Sequence, residues 1–259
     1  MKKFCYLILA LLFTGTLYAQ DNMTGEEIAQ KARHSNRSPK GVVVKANIIM
    51  KNMISGKTET RNAVVITVDN NGLAKGLFRF TNSSYSGTTM LTLERKGQDN
   101  LQYLYLPSVG SPRQIEGSDK EKNFVDTDFS NEDLGGSKVE DYTYKRLADQ
   151  KIGGKDCYVL ERYPKSKSSK FSKHVVILEK DSLIPISVQF YGKSGRIIKS
   201  MKSSDIRNIG SNIHVPFYVE VTDLENKSQT VLKVNQAVEK PVNQGYFNRN
   251  RMNMKWAEE

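Results

Sequence analysis

From residue 41 to residue 238 the chain consists of short runs with a side-chain period of two, cut at regular intervals by turn signals. Residues 42–50 place Val44, Ala46, Ile48 and Met50 on one face. After the Ser55-Gly56-Lys57 turn, residues 59–69 group Val64, Ile66 and Val68. Asn70-Asn71-Gly72 then leads into residues 73–81, where Phe78 and Phe80 share a side. Residues 88–95 and 101–106 continue the series. A second series covers residues 142–147, 155–162, 172–179, 184–191, 196–206, 213–223 and 229–238. Turns this short join antiparallel neighbours only, because parallel strands need long crossovers. About a dozen strands so spaced predict one mainly β domain, an antiparallel sheet that curls on itself.

Between the two series the pattern fails. Residues 107–141 are rich in Gly, Ser, Asp and Pro, with a strand-like Gln114-Ile115 and a helical turn at 131–134. A long segment of this kind inside a compact domain is expected to be a lid or a binding loop. Ahead of the sheet, Thr24-Gly25-Glu26-Glu27 reads as a capping box, and Ser38-Pro39 ends the helix it opens. The tail, residues 241–259, carries Tyr246, Phe247 and Trp256 without a clear period. No repeat and no domain-scale linker divides residues 20–259, so one domain is expected.

Residues 1–19 read as a cleavable signal peptide. Lys2 and Lys3 precede the uncharged run F-C-Y-L-I-L-A-L-L-F, and Ala19 supplies the small residue before the cut. That run is shorter than the roughly 20 residues a membrane helix requires. Cys5 lies too early for lipidation beside the cut and leaves with the signal. Cys157 then stands alone, which excludes an internal disulfide, and reads as a small buried hydrophobe. The chain has formal charge +11, yet residues 116–141 hold nine acids against three lysines. A basic surface suits anionic lipid headgroups, or simply keeps a β protein soluble; export argues against nucleic acid as a partner.

Catalytic signatures are missing. His34, His174 and His214 stand apart, and no metal-binding, nucleophile-elbow or phosphate-loop motif occurs. Asp126-Thr127-Asp128 with Glu132-Asp133 begins like a calcium loop but has Asn131 where glycine must turn it. Asp128 or Ser130 capping the turn at 131–134 is the simpler account. Neither a metal nor a cofactor is expected, and no catalytic residue is assigned.

Residues 103–134 carry a resemblance. They read Y-L-Y-L-P-S-V-G-S-P-R-Q-I, then N-F-V-D-T-D-F-S-N-E-D-L. This resembles the outer-membrane lipoprotein-sorting protein family, relatives of the periplasmic carrier LolA. Matching positions are Leu106, Pro107, Arg113, Ile115, Phe124, Asp128, Phe129, Glu132, Asp133 and Leu134; Val125-Asp126-Thr127 replaces a small glycine or serine step. The resemblance implies a half-open antiparallel β-barrel of about eleven strands, with a few short helices and loops over its concave side. It further implies a periplasmic, monomeric carrier or chaperone for the acyl chains of lipoproteins, or other lipid-like cargo. Its partners would be an inner-membrane transporter and an outer-membrane acceptor.

The wall of such a cavity is expected from Ile48, Met50, Val64, Ile66, Phe78, Phe80, Leu91, Leu104, Val215 and Phe217, with ordinary core packing as the alternative for each. Two other readings stay open. One is an accessory module of an envelope transporter with no cavity of its own. The other is an enzyme built on Asp126, Asp128 and Asp133.

Overall fold

The computed structural model describes residues 21–136 and 138–258; the expected signal peptide lies outside them. Fourteen strands form one antiparallel sheet. The first series gives β1 (Val42–Asn52), β2 (Thr58–Asn70), β3 (Leu73–Phe80), β4 (Thr89–Leu93), β5 (Leu101–Tyr105) and β6 (Pro112–Gln114). The second gives β7 (Tyr142–Arg146), β8 (Gln150–Ile152), β9 (Lys155–Pro164), β10 (Phe171–Glu179), β11 (Pro185–Gly192), β12 (Ile197–Asn208), β13 (His214–Asp223) and β14 (Ser228–Glu239). The excess over eleven lies partly in β6 and β8, three-residue strands too short for a periodic signal.

The strand order is β6-β5-β4-β3-β2-β1-β14-β13-β12-β11-β10-β9-β7, with β8 added to β9. Two meanders are thus joined at their far ends by β1 and β14, which pair from Val42↔Glu239 to Asn52↔Ser228 around one bulge. This leaves β6 and β7 as the opposite edges of an open sheet. The chain between them, residues 115–141, has to travel from one edge to the other, and it does so across one face.

Helix α1 (Gly25–His34) opens with the expected capping box. Thr24 accepts from Glu27 N, and the Glu27 carboxylate takes the Thr24 N–H at 2.7 Å. Its Gly25 lies so close to β7 that a Cβ there would meet the Tyr144 Cβ at 3.1 Å. Ile28, fully buried, joins Tyr158, Leu160, Val176 and Phe190 in the core over β9–β11.

The opposite face of β2–β5 has its own cover. Phe247, Met252 and Trp256 of the tail pack on Val64, Ile66, Leu77, Leu91 and Tyr103. Buried Arg79 holds the tail in place, donating to the carbonyls of Met254 (2.6 Å) and Met252, with its guanidinium 4.4 Å from the Trp256 ring. The tail's lack of period follows from this, since its contacts come from 3-10 turns and loops rather than from a helix or strand.

Candidate functional site

Residues paired directly across antiparallel strands share a face, so the concave side can be read rung by rung. One rung is Val65, Phe78, Met90 and Leu104 on β2–β5. It is solid. Phe124 from the crossing segment sits against it, with ring centroids 5.1 Å from Phe78 and 5.7 Å from Phe80. The next rung is Thr67, Gly76, Thr92 and Gln102, and its first three members line a cavity of about 420 Å³.

The cavity's other walls include Ala29 and Ala32 of α1, the segment from Leu134 to Gly136, and Leu160, Val176, Leu178, Leu183 and Pro185, with Arg37, Lys75 and Arg162 among its charged members. Gly76 and Val176 lie seven ladder steps apart, about 34 Å on a flat sheet at ~4.8 Å a step, so the sheet must curl to bring them to one hollow. Gly76 keeps an ordinary φ, and a Cβ placed there would meet nothing within 4 Å. Its lack of a side chain therefore creates space rather than serving backbone geometry, a recognised use of glycine in mid-strand.

The crossing segment is fastened at several points. Asp128, buried, accepts from Ser228 Oγ (2.5 Å) and Thr230 Oγ1 (2.7 Å) on β14. Ser130 caps the short helix α2 (Asn131–Gly135) and completes a capping box with Asp133. Asp133 also takes the Lys199 ammonium of β12 at 2.7 Å. Burial opposes the Asp133 charge, but Lys199 and the Ser130 bonds outweigh it and hold the carboxyl below its ordinary range. Gln102 of β5 donates to the Asn131 carbonyl at 2.7 Å, and a Cβ on Gly135 would run into the Gln102 side chain.

Val125 and Asp126 take left-handed φ values of 42° and 60°, at the step where the resemblance implies glycine or serine. Arg61 donates to the Val125 carbonyl (2.8 Å) and Tyr85 to the Asp126 carboxylate (2.5 Å), which holds this turn in place.

The motif residues therefore act as fasteners. Phe124, Asp128, Phe129 and Asp133 belong to the crossing segment, with Phe124 N donating to the Phe129 carbonyl at 2.7 Å. Pro107 lies in the turn after β5, and Arg113 stands exposed on β6 beside Asp119. Of the motif, only Leu134 lines the cavity.

The expected wall divides three ways, and none of its ten residues lines this cavity. Ile48, Met50, Phe78, Phe80 and Leu104 face the concave side, but they pack with Phe124 and Ile115 as the solid layer. Val64, Ile66 and Leu91 are corrected to the opposite face, under the tail. In register terms Val64 alternates with Val65 and Leu91 with Met90, so they cannot share a face with Phe78. Val215 and Phe217 lie half-buried on β13, with the Arg207 guanidinium 4.0 Å from the Phe217 ring.

Charged side chains stand at more than one wall of the hollow. Glu94 accepts from Arg33 Nε and Arg37 Nη1, each at 2.9 Å, and from Ala74 N at 2.7 Å. Burial opposes its ionisation, but these donors prevail and hold its carboxyl below the usual range. At the other wall Arg162 donates to His174 Nδ1 (2.8 Å) and lies 4.6 Å from the Tyr142 ring. Burial, then the charges of Arg162 and Lys199, push His174 down to about 2, so the imidazole is neutral. Burial raises Glu132, which accepts from Tyr142 Oη at 2.8 Å. Among the described residues, no helix is long and apolar enough to cross a membrane.

This architecture has solved relatives. A Vibrio parahaemolyticus domain described as an outer membrane lipoprotein-sorting protein domain superimposes with a TM-score of 0.80 at 26% identity, over 88% of this chain and 98% of its own. A DUF1329 family protein from Desulfovibrio piger gives 0.78 at 26% identity, over 88% and 97%. A LolA superfamily protein from Nitrosomonas europaea shares the fold with a TM-score of 0.66 at 20% identity, over 88% and 99%. No curated protein matches the chain. A family model described as "-like: Uncharacterized protein" matches residues 72–254. The chain belongs to that family, which is LolA-like in its open antiparallel half-barrel and akin to outer-membrane lipoprotein-sorting proteins.

Proposed function

We propose that this chain is a periplasmic carrier that shelters an acyl chain of a lipoprotein, or of other lipid-like cargo, in the hollow beneath α1. The observation that carries the reading is the rung Thr67, Gly76 and Thr92, where small residues replace an aromatic layer and leave about 420 Å³ between apolar walls. That volume falls within the range of small-molecule sites. Each methylene withdrawn from water into such a site gains about 0.8 kcal/mol, so a carrier of this kind works by burial alone. The description of the Vibrio relative as an outer membrane lipoprotein-sorting protein domain supports the same reading. In this role the chain would receive cargo from an inner-membrane transporter and pass it, as a monomer, to an outer-membrane acceptor.

The test is mass spectrometry of lipid co-purified with the protein from detergent-free periplasmic extract, compared with Gly76→Leu. The wild-type chain should carry lipid in near-stoichiometric amount, and the variant, folded to the same extent, should carry little. Equal lipid in both, or none in either, would overturn the assignment of the hollow as the cargo site. Capture of a membrane protein by the lipid-free chain would favour the accessory-module reading instead.

A further inference from the structure

We infer that the hollow takes an amphipathic anion, a single long acyl chain whose carboxylate or phosphate head rests in a basic recess outside Arg33. This rests on the carrier reading and adds a head to the chain. A second hollow of about 520 Å³ adjoins the first, and the two share Arg33 and Glu94 in their walls. The inner one is walled by ten alanine, leucine, valine and proline residues together with Arg33, Arg37, Lys75, Glu94 and Arg162; the outer one by Arg33, Arg95, Lys96 and Lys138 against Glu94 and Glu140.

Glu94 is shared by two guanidiniums, Arg33 and Arg37, and Arg37 also reaches the Asp69 carboxylate at 3.4 Å. Further out, Lys138 is paired with Asp99 at 2.7 Å, whereas Arg95 donates its Nε to the Asp99 carbonyl, an acceptor without net charge. Lys96 is exposed. On the outer side of the half-buried Arg33–Glu94 pair, the wall therefore carries more positive than negative charge. A neutral head would leave that excess unanswered. An anionic head would meet two or more cations at bonding range, each such half-exposed contact contributing severalfold in affinity.

The experiment uses the full mature chain, stripped of lipid, with the neutral dye N-phenyl-1-naphthylamine in the hollow. Myristyl alcohol, myristate, lyso-myristoyl phosphatidylglycerol and inorganic phosphate are compared as competitors at low and high salt. Myristate or the lysophospholipid, or both, should displace the dye about tenfold more strongly than the alcohol, and salt should shrink the difference. Whichever anion binds tighter names the source, free fatty acid or phospholipid. In the double variant Arg95→Gln, Lys96→Gln the preference should fall toward parity while the alcohol binds as before. Equal displacement by alcohol and anions would overturn the headgroup inference and leave the carrier reading standing. Displacement by phosphate alone at the same strength would also overturn it, because the chain would then contribute nothing. Failure of every long-chain competitor would overturn the carrier reading itself.

Discussion

The two ends of the concave face are built on the same strands, yet one is solid and the other hollow. At the solid end Val65, Phe78, Met90 and Leu104 meet Phe124. One rung away, Thr67, Gly76 and Thr92 leave space. Backbone geometry is the same at both, so the difference lies in side-chain volume set in register across three strands. The solid end also carries fasteners of the crossing segment: Phe124 wedges into the aromatic layer and Asp128 is bonded to β14. A cover pinned there can stand over a hollow without collapsing into it.

The contrast predicts different responses to truncation. Phe80→Ala should cost about 3–5 kcal/mol, because a fully buried ring with aromatic neighbours leaves a void that cannot refill. Urea denaturation measures it. Leu160→Ala should fall near the lower end of the 2–5 kcal/mol range, since one side of Leu160 already faces the hollow and has fewer contacts to lose. Equal costs at the two sites would mean that the hollow is packed in solution.

Acidification should act beside the hollow, through His174 buried behind the Arg162 of its wall. His174 binds its proton near pH 6.5 when unfolded but only at about 2 when folded. Its contribution is therefore complete above pH 6.5 and is lost as pH falls, by about 1.4 kcal/mol per pH unit. Glu94 and Asp133, both lowered, add the same trend only below the ordinary carboxylate range. Raised Glu132 works the other way. His174→Gln should flatten the slope between pH 6.5 and 5, followed by urea midpoints; an unchanged slope would place the titrating group elsewhere. The smallest effect is expected at Gly76→Leu. Its side chain would enter open space, so stability should move by less than about 1 kcal/mol.

Much of the fold was legible in the chain. Both long meanders, their turns and the Thr24–Glu27 capping box stand where local patterning puts them, because alternation and capping are decided by residues within a few positions of one another. The lipoprotein-sorting motif was legible too, although its residues prove to fasten a cover rather than to line a cavity. The wall was legible only in part. Alternation says that Val64 and Val65 face opposite ways, not which of them faces the hollow. In most half-buried sheets polar residues mark the outer side, but both faces of β3 and β4 are covered, and their burial runs unbroken for four residues. The glycine at position 76, set mid-strand, was the available sign of a space.

The sequence by itself determined that this chain makes an antiparallel β meander of the lipoprotein-sorting kind, because strand period, turn chemistry and motif are local properties. Only the tertiary structure decided that β1 pairs with β14, that residues 115–141 must therefore cross the sheet from edge to edge, and that the tail seals the outer face. The hollow is a product of those long-range choices. It exists where small residues from strands far apart in the sheet come to face one another, and no short window of sequence contains both sides.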